Sequence, residues 1–249
     1  MLLEKVMGNE RTRPNYGLDA PGLVRFFLIL GFFLTLIGIG LVIWRKNPIV
    51  ISIGFTLIFP GVIFFLEGLL MIFSSRCGKL KARDRLLDNL QLKGHEAILD
   101  VGCGRGLLLI GAAKRVPSGK AIGLDLWSQQ DLADNRSSAT LENARLEGVI
   151  DRIEVHNGDM RQMPFADATF DAIVASNSIH NIYDRDGRRQ AINQIVRVLK
   201  AGGQVSLLDI RHTGEYADDL RVAGMKGVNR SGLIFWIFPP VRVVTAKKS

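Results

Sequence analysis

The chain has 249 residues, 47% of them apolar, with a net charge of +8 and only two cysteines. This length suits one α/β domain plus an appendage, and Cys77 and Cys103 are too few for a disulfide or metal framework, so no metal site is expected. Nor does the charge point to nucleic acid: residues 1–90 carry +5, residues 91–249 only +3, and no zinc-ligand spacing, RNA-binding signature or aromatic–basic stripe occurs.

The apolar residues are concentrated near the start. Residues 26–44 and 49–66 are two uncharged runs of nineteen and eighteen. At about 1.5 Å of rise per residue each covers roughly 27–28 Å, close to the ~30 Å hydrocarbon thickness of a bilayer. The second run continues through Glu67 to Phe73, which places Glu67 near a membrane face. A cleaved leader fits badly, because its apolar region spans about 7–15 residues and ends in small residues. Two membrane-spanning helices are predicted, over about 23–44 and 49–73, with residues 1–22 as a cytoplasmic segment. Arg45, Lys46, Asn47 and Pro48 would join them into a tight hairpin. Gly31 and Gly38, and Gly54, Gly61 and Gly68, recur seven apart, so each set lies on one helix face and permits close approach. Pro60 is expected to bend the second helix. Nine cationic residues (Lys5, Arg11, Arg13, Arg25, Arg76, Lys79, Lys81, Arg83, Arg85) flank the outer ends against two in the link, which puts both termini in the cytoplasm. A bacterial inner membrane is the expected location, and anionic lipid the natural partner of the flanking charge.

A second domain is predicted over 74–249. An amphipathic helix over 79–92 comes first. Strands then alternate with helices: strands at 97–101, 121–126, 152–156, 171–176, 203–210 and 241–246; helices at 107–115, 139–147, 185–199 and 216–223. Such alternation gives a doubly wound parallel sheet that binds ligands at the carboxyl ends of its strands.

The first strand runs A-I-L-D-V directly into G-C-G-R-G, with glycines at 102, 104 and 106. Taken alone, the loop is either a tight turn without a ligand or a cofactor cradle. The dinucleotide fingerprint G-x-G-x-x-G does not match, because the third glycine comes one residue early. Asp125 closes the next strand nineteen residues after Gly106, where an acid accepts hydrogen bonds from ribose hydroxyls. Asp159, in N-G-D-M after the third strand, can receive an adenine amine. Together these residues call for adenosine, and no arginine cradle for a pyrophosphate accompanies them.

The motifs I-L-D-V-G-C-G-R-G, G-L-D-L, N-G-D-M-R-Q-M-P-F, F-D-A-I-V-A-S-N-S-I-H-N-I and L-K-A-G-G-Q-V occur in that order between residues 86 and 248. In these the chain resembles the class I S-adenosylmethionine-dependent methyltransferases, most of all the small-molecule branch that holds the quinone-ring C-methyltransferases. The resemblance implies a Rossmann-like, mostly parallel seven-stranded sheet and S-adenosylmethionine as methyl donor. It also implies roles. Asp100 and the amides around Gly102, Gly104 and Gly106 would hold the methionine end of the donor. Asp125 would take the ribose, with Leu126 on the adenine face and Asp159 and Met160 at its edge. Ser176 would line the floor near the methyl group. The hairpin is not part of the family pattern, and Arg105 stands where a small hydroxyl residue is usual.

An activated methyl leaves the protein to position a nucleophile and exclude water. Where that nucleophile is a phenol, thiol or ring carbon, a base assists, and His180 after the fourth strand is the candidate. The alternative for His180 is packing or capping, and Asn181 and Asp184 can equally be turn residues. The Asn-Pro-Pro-Tyr motif of amide and base N-methylation is absent from 176–184. Residues 232–240, G-L-I-F-W-I-F-P-P, are either a core strand with a turn or a flap that walls an apolar pocket or touches lipid. The expected acceptor is therefore a hydrophobic quinol, phenol, thiol or lipid. A non-catalytic, membrane-tethered donor-binding module is the alternative, and a nicotinamide enzyme a more distant one. The sequence specifies neither the acceptor atom nor an oligomeric state.

Overall fold

The computed structural model describes residues 13–44, 47–128 and 132–249. Lys5 and Arg11, and Arg45 and Lys46 of the expected link, lie outside the described residues. Helix α1 (Pro21–Trp44) and helix α2 (Pro48–Phe73) pack against each other. Asn47 caps α2 through its side chain, which accepts from the Ile49 amide, and Pro48 sits where a missing N–H costs nothing. The helix continues through Pro60. The glycines mark the seam between the two helices: a Cβ on Gly31 would stand 2.4 Å from the Phe65 nitrogen, and one on Gly38 would stand 2.6 Å from the Gly54 oxygen. Only 11% of the most apolar stretch of each helix is buried within the described structure. Both are long and apolar enough to cross a membrane.

No loop separates this hairpin from the third helix. A π-helical turn, Ser74–Gly78, carries α2 straight into α3 (Lys79–Asp88), which buries Ala82, Leu86 and Leu87. The remaining elements, in order, are β1 (Ala97–Val101), α4 (Leu107–Arg115), β2 (Lys120–Asp125), α5 (Ser137–Leu146), β3 (Ile153–Asn157), β4 (Phe170–Ser176), α6 (Arg185–Val198), β5 (Leu199–Asp209), α7 (Thr213–Val222), β6 (Lys226–Arg230) and β7 (Arg242–Lys247). They form a seven-stranded sheet of order β3-β2-β1-β4-β5-β7-β6, parallel except that β7 runs against both its neighbours. Alternate residues of each strand feed opposite faces. Ile98, Ala121 and Val174 pack with α3 and α4, while Leu99, Ile173 and Val205 pack with α6 and α7. The chain winds outward in both directions from β1 and β4, and the crevice at their carboxyl ends is the switch point where α/β sheets bind ligands.

Two expectations are corrected. Strand β6 has no counterpart among the expected strands because it is a mostly exposed edge strand, K-G-V-N-R, with one apolar residue to carry a pattern. Residues 232–240 contain no core strand: Ile234 makes a single bridge to Val241 and the rest is turn.

Candidate functional site

The carboxyl ends of β1, β2 and β4 open into a cavity of about 590 Å³. Its lining includes Asp100, Gly102, Gly104, Asp125, Leu126, Asp159, Met160, Ser176 and His180, nine of the ten residues singled out from sequence. The tenth, Gly106, is not in the lining. It begins α4 at φ 85°, with Thr140 and Ile110 too close for a side chain.

The glycine loop is held by its own amides. Gly102 N and Cys103 N donate to Leu124 O, Gly106 N donates to Cys103 O, and Gly104 N donates to Asp125 Oδ2 at 2.8 Å. These amides, expected to meet the methionine end of a ligand, are already committed inside the protein. The loop is thus unlike a phosphate cradle, whose amides point at the ligand. Gly102 itself is required by packing: at φ 72°, a Cβ would lie 2.2 Å from Cβ of Ser178, whose hydroxyl donates to Val101 O.

Asp100 is buried and accepts from the Leu109 amide at 2.8 Å. Burial, with a smaller push from Asp125, raises its carboxyl to about 8. An acid held this far from water suits a cationic partner, which would favour its ionised form. Asp125 accepts from Gly104 N, from Trp127 N at 2.6 Å and from Asn135 Nδ2 at 3.3 Å. Among the described residues, the buried Asn135 Oδ1 and Asn177 Oδ1, both at the cavity, have no hydrogen-bond partner. Leu126 is 59% exposed beside Asp125, an apolar face with no protein covering it. Asp159 is gripped by the Arg161 guanidinium, which holds its carboxyl below the usual range.

His180 sits in a short 3₁₀ turn, Ile179–Asn181, with its backbone N–H donating to Asp209 Oδ2 at 3.2 Å. Its Nδ1 lies 2.6 Å from Asp209 Oδ1, a close contact outside the alignment of a good hydrogen bond. Asp209 is 2% exposed and also accepts from Tyr216 Oη and the Ile210 amide. Burial and this carboxylate push the Tyr216 phenol up, so Tyr216 remains a donor. The arrangement can fix the ring with Nδ1 toward the carboxylate, and no hydrogen bond among the described residues engages Nε2. Sequence reasoning missed Asp209, although an acid closing a strand (S-L-L-D-I) is the same signal that marked Asp125. Asp184 accepts from Gly187 N and caps α6, the turn role left open for it.

Arg105 departs from the family pattern for a structural reason. It is 2% exposed, borders the cavity, and is held by residues 15–20, a strap that precedes α1. Its Nε donates to Asn15 O at 2.7 Å, and Nη1 donates to Ala133 O, Asp134 O and Asp134 Oδ2. Asn143 accepts from Asn15 N through Oδ1 and donates to Asn15 O through Nδ2, and Lys79 Nζ donates to Tyr16 O, Gly17 O and Asp19 Oδ1. Tyr16, Asp19 and Ala20 of the strap line the cavity, as do Met71, Ser74, Ser75 and Lys79 from the far side of the hairpin.

Residues 98–203 match the family described as a methyltransferase domain. The chain is 34% identical over 129 residues to a demethylmenaquinone methyltransferase of Lactobacillus johnsonii, covering 51% of this chain and 49% of that protein. It is 33% identical over 124 residues to the chloroplastic 2-phytyl-1,4-beta-naphthoquinone methyltransferase of Arabidopsis thaliana, covering 49% and 45%. The chain thus spans about half the length of these curated relatives. Among solved structures, an S-adenosylmethionine-dependent methyltransferase from Aquifex aeolicus superposes with a TM-score of 0.56 at 18% identity, covering 74% of this chain and 98% of that one, a likeness of fold.

Proposed function

We infer that this chain, whose residues 98–203 match a methyltransferase domain, is a membrane-anchored enzyme that transfers a methyl group from S-adenosylmethionine to a hydrophobic small molecule of the quinol or phenol class. The observation that carries the reading is one cavity in which Asp100, Asp125, the exposed Leu126 and Asp159 converge with the His180–Asp209 pair.

The residues fit the donor. Asp125 and the unpartnered Asn135 Oδ1 would take the ribose hydroxyls, and Leu126 the adenine face. Asp159 would receive the adenine amine by yielding part of its grip on Arg161. Asp100, with carbonyl rather than amide groups of the loop, would face the ammonium of the methionine end. When bound, the donor supplies a methyl group activated by a sulfonium. The protein then has to place the acceptor in line, keep water out and remove a proton. His180 Nε2 would accept that proton from a phenolic or quinolic hydroxyl, with Asp209 stabilising the imidazolium so formed.

Three observations support the anchor: the length of α1 and α2, their exposed apolar surface, and their glycine seam. In this reading the hairpin comprises residues 21–73, the catalytic domain residues 74–249, and the domain faces the cytoplasm. The quinol-type acceptor is favoured by the names of the relatives and by the apolar Ile237, Phe238 and Pro239 in the lining. Calorimetry of the full chain in lipid nanodiscs tests the donor site. S-adenosylmethionine and its demethylated product should bind and NAD should not, and Asp125→Ala should weaken the donor at least tenfold. Undiminished affinity in that variant overturns the site. Release of S-adenosylhomocysteine only when a membrane extract is added separates the enzyme from a binding module.

A further inference from the structure

The cavity has walls of two chemistries. One part carries charge: Asp100, Asp125, Asp159, Arg161 and Asp184. Another is a seam between the end of the hairpin and the segment before β7, with Met71, Ser74 and Ser75 on one side and Ile237, Phe238 and Pro239 on the other. The seam is built into the fold. Phe238 N donates to Ser74 Oγ at 2.9 Å, and Gly78 lets the Trp236 carbonyl approach so closely that a Cβ would sit 2.1 Å from it. The Arg85 guanidinium lies 4.9 Å from the Trp236 ring centroid.

The polar atoms in the seam are engaged. Ser75 Oγ donates to Asp19 Oδ2 and accepts from Asp19 N, and Ser74 Oγ accepts from Phe238. What the seam offers a ligand is therefore methionine, isoleucine, phenylalanine and proline surface. It also lies where the exposed apolar surface of the hairpin ends. Leu69, Leu70 and Phe73 face outward, Met71 faces the cavity at 4% exposure, and Phe235 and Trp236 stand exposed across from them. The exposed apolar surface of the hairpin thus runs up to the seam, beside the Asp19–Lys79 ion pair that also lines the cavity.

We propose that the seam between Met71–Ser75 and Ile237–Pro239 binds the apolar chain of a membrane-resident acceptor, so that the hairpin is a wall of the acceptor site as well as a tether. The occupant is an unbranched or isoprenoid hydrocarbon chain entering from the bilayer, while the donor reaches the charged wall from water. The strap fixes this geometry, because Lys79, Arg105 and Asn143 lock the residues before α1 to the domain. The proposal rests on the reading of the protein as a methyltransferase for hydrophobic acceptors.

The test uses the full chain in phosphatidylcholine nanodiscs with an isoprenoid alcohol carrying a terminal diazirine. After photolysis, mass spectrometry of the peptides should place adducts within 71–75 and 237–239. Met71→Trp, which fills the seam, should cut those adducts at least fivefold while adducts on Leu69, Leu70 and Phe73 persist; its thermal midpoint shows whether it is folded. If it is not, Phe238→Ala serves instead, and should raise the probe concentration for half-maximal labelling several-fold. Labelling confined to the outward faces of α1 and α2, or unchanged in both variants, overturns the proposal. Failure of S-adenosylmethionine to bind in the same discs sinks the methyltransferase reading and leaves the labelling result to stand on its own.

Discussion

At the scale of single residues, Asp100 makes the sharpest statement about pH. Its carboxyl is raised from 3.8 to about 8, so between those values the folded chain holds a proton that the unfolded chain has lost. Stability from this group therefore falls as pH rises through that window and levels off above it. Asp100→Asn, which can still accept from the Leu109 amide, should remove this slope in urea unfolding followed at pH 5 and pH 8. The same change should weaken the donor, since a cationic ammonium favours the ionised acid. For the native chain, donor affinity should fall about tenfold per pH unit below 8, with up to about one proton released on binding at pH 7. Calorimetry in two buffers of different ionisation enthalpy reads both quantities. His180→Gln should leave donor affinity unchanged and slow turnover by roughly 10²–10⁴. Unaltered turnover would return His180 to a packing role. Much at this scale was legible in the sequence: an acid at the end of a strand is a local pattern that marks Asp125 and Asp159, while Asp100 came with the resemblance carried by I-L-D-V-G-C-G-R-G. Which groups of the glycine loop are free was not legible, because that depends on Leu124 and Asp125 arriving from the neighbouring strand to bind its amides.

At the scale of elements, the strong patterns were readable and the weak ones were not. The strand at 97–101 and the helix at 107–115 appear at those residues because β1 is buried along almost its whole length and α4 packs its leucines beneath the sheet. Strand β6 gives no such signal, since it is held by its partner β7 and not by a buried face. The strap at 15–20 has no periodicity at all. It is ordered by side chains more than fifty positions away, which explains a buried arginine inside a glycine loop. Arg105→Ala should strip Asn15 and Asp134 of a charged donor and cost about 2–4 kcal/mol. Hydrogen exchange should then accelerate at the Asn15 amide before it does in β1. A uniform acceleration throughout the domain would mean that Arg105 supports the fold at large and not the strap. In the hairpin, Gly31→Leu would drive a side chain into the Phe65 backbone and should cost roughly 1–3 kcal/mol of helix association, read by denaturation in mixed micelles.

At the scale of the whole molecule, the decisive feature is that nothing flexible separates hairpin from domain among the described residues. Helix α2 passes through a π-helical turn into α3, and the strap returns from α1 onto the glycine loop, so both ends of the hairpin meet the cavity. The sequence presents the aromatic segment before β7 as one unit, a core strand with a turn or a flap, but the structure divides it. Phe235 is 71% and Trp236 40% exposed, outside the cavity lining, whereas Ile237, Phe238 and Pro239 lie within it. Replacing Phe235 and Trp236 with serine should therefore leave the cavity and donor affinity intact. It should remove apolar surface beside the seam and loosen the contact between Trp236 and Arg85, worth about 0.5–1 kcal/mol at an exposed site. The Michaelis constant for a naphthoquinol with an isoprenoid tail in nanodiscs should rise several-fold, while that for the tail-less naphthoquinol stays unchanged. A parallel rise for both acceptors would place these two side chains in general support of the domain, with no part in delivering a molecule from the bilayer.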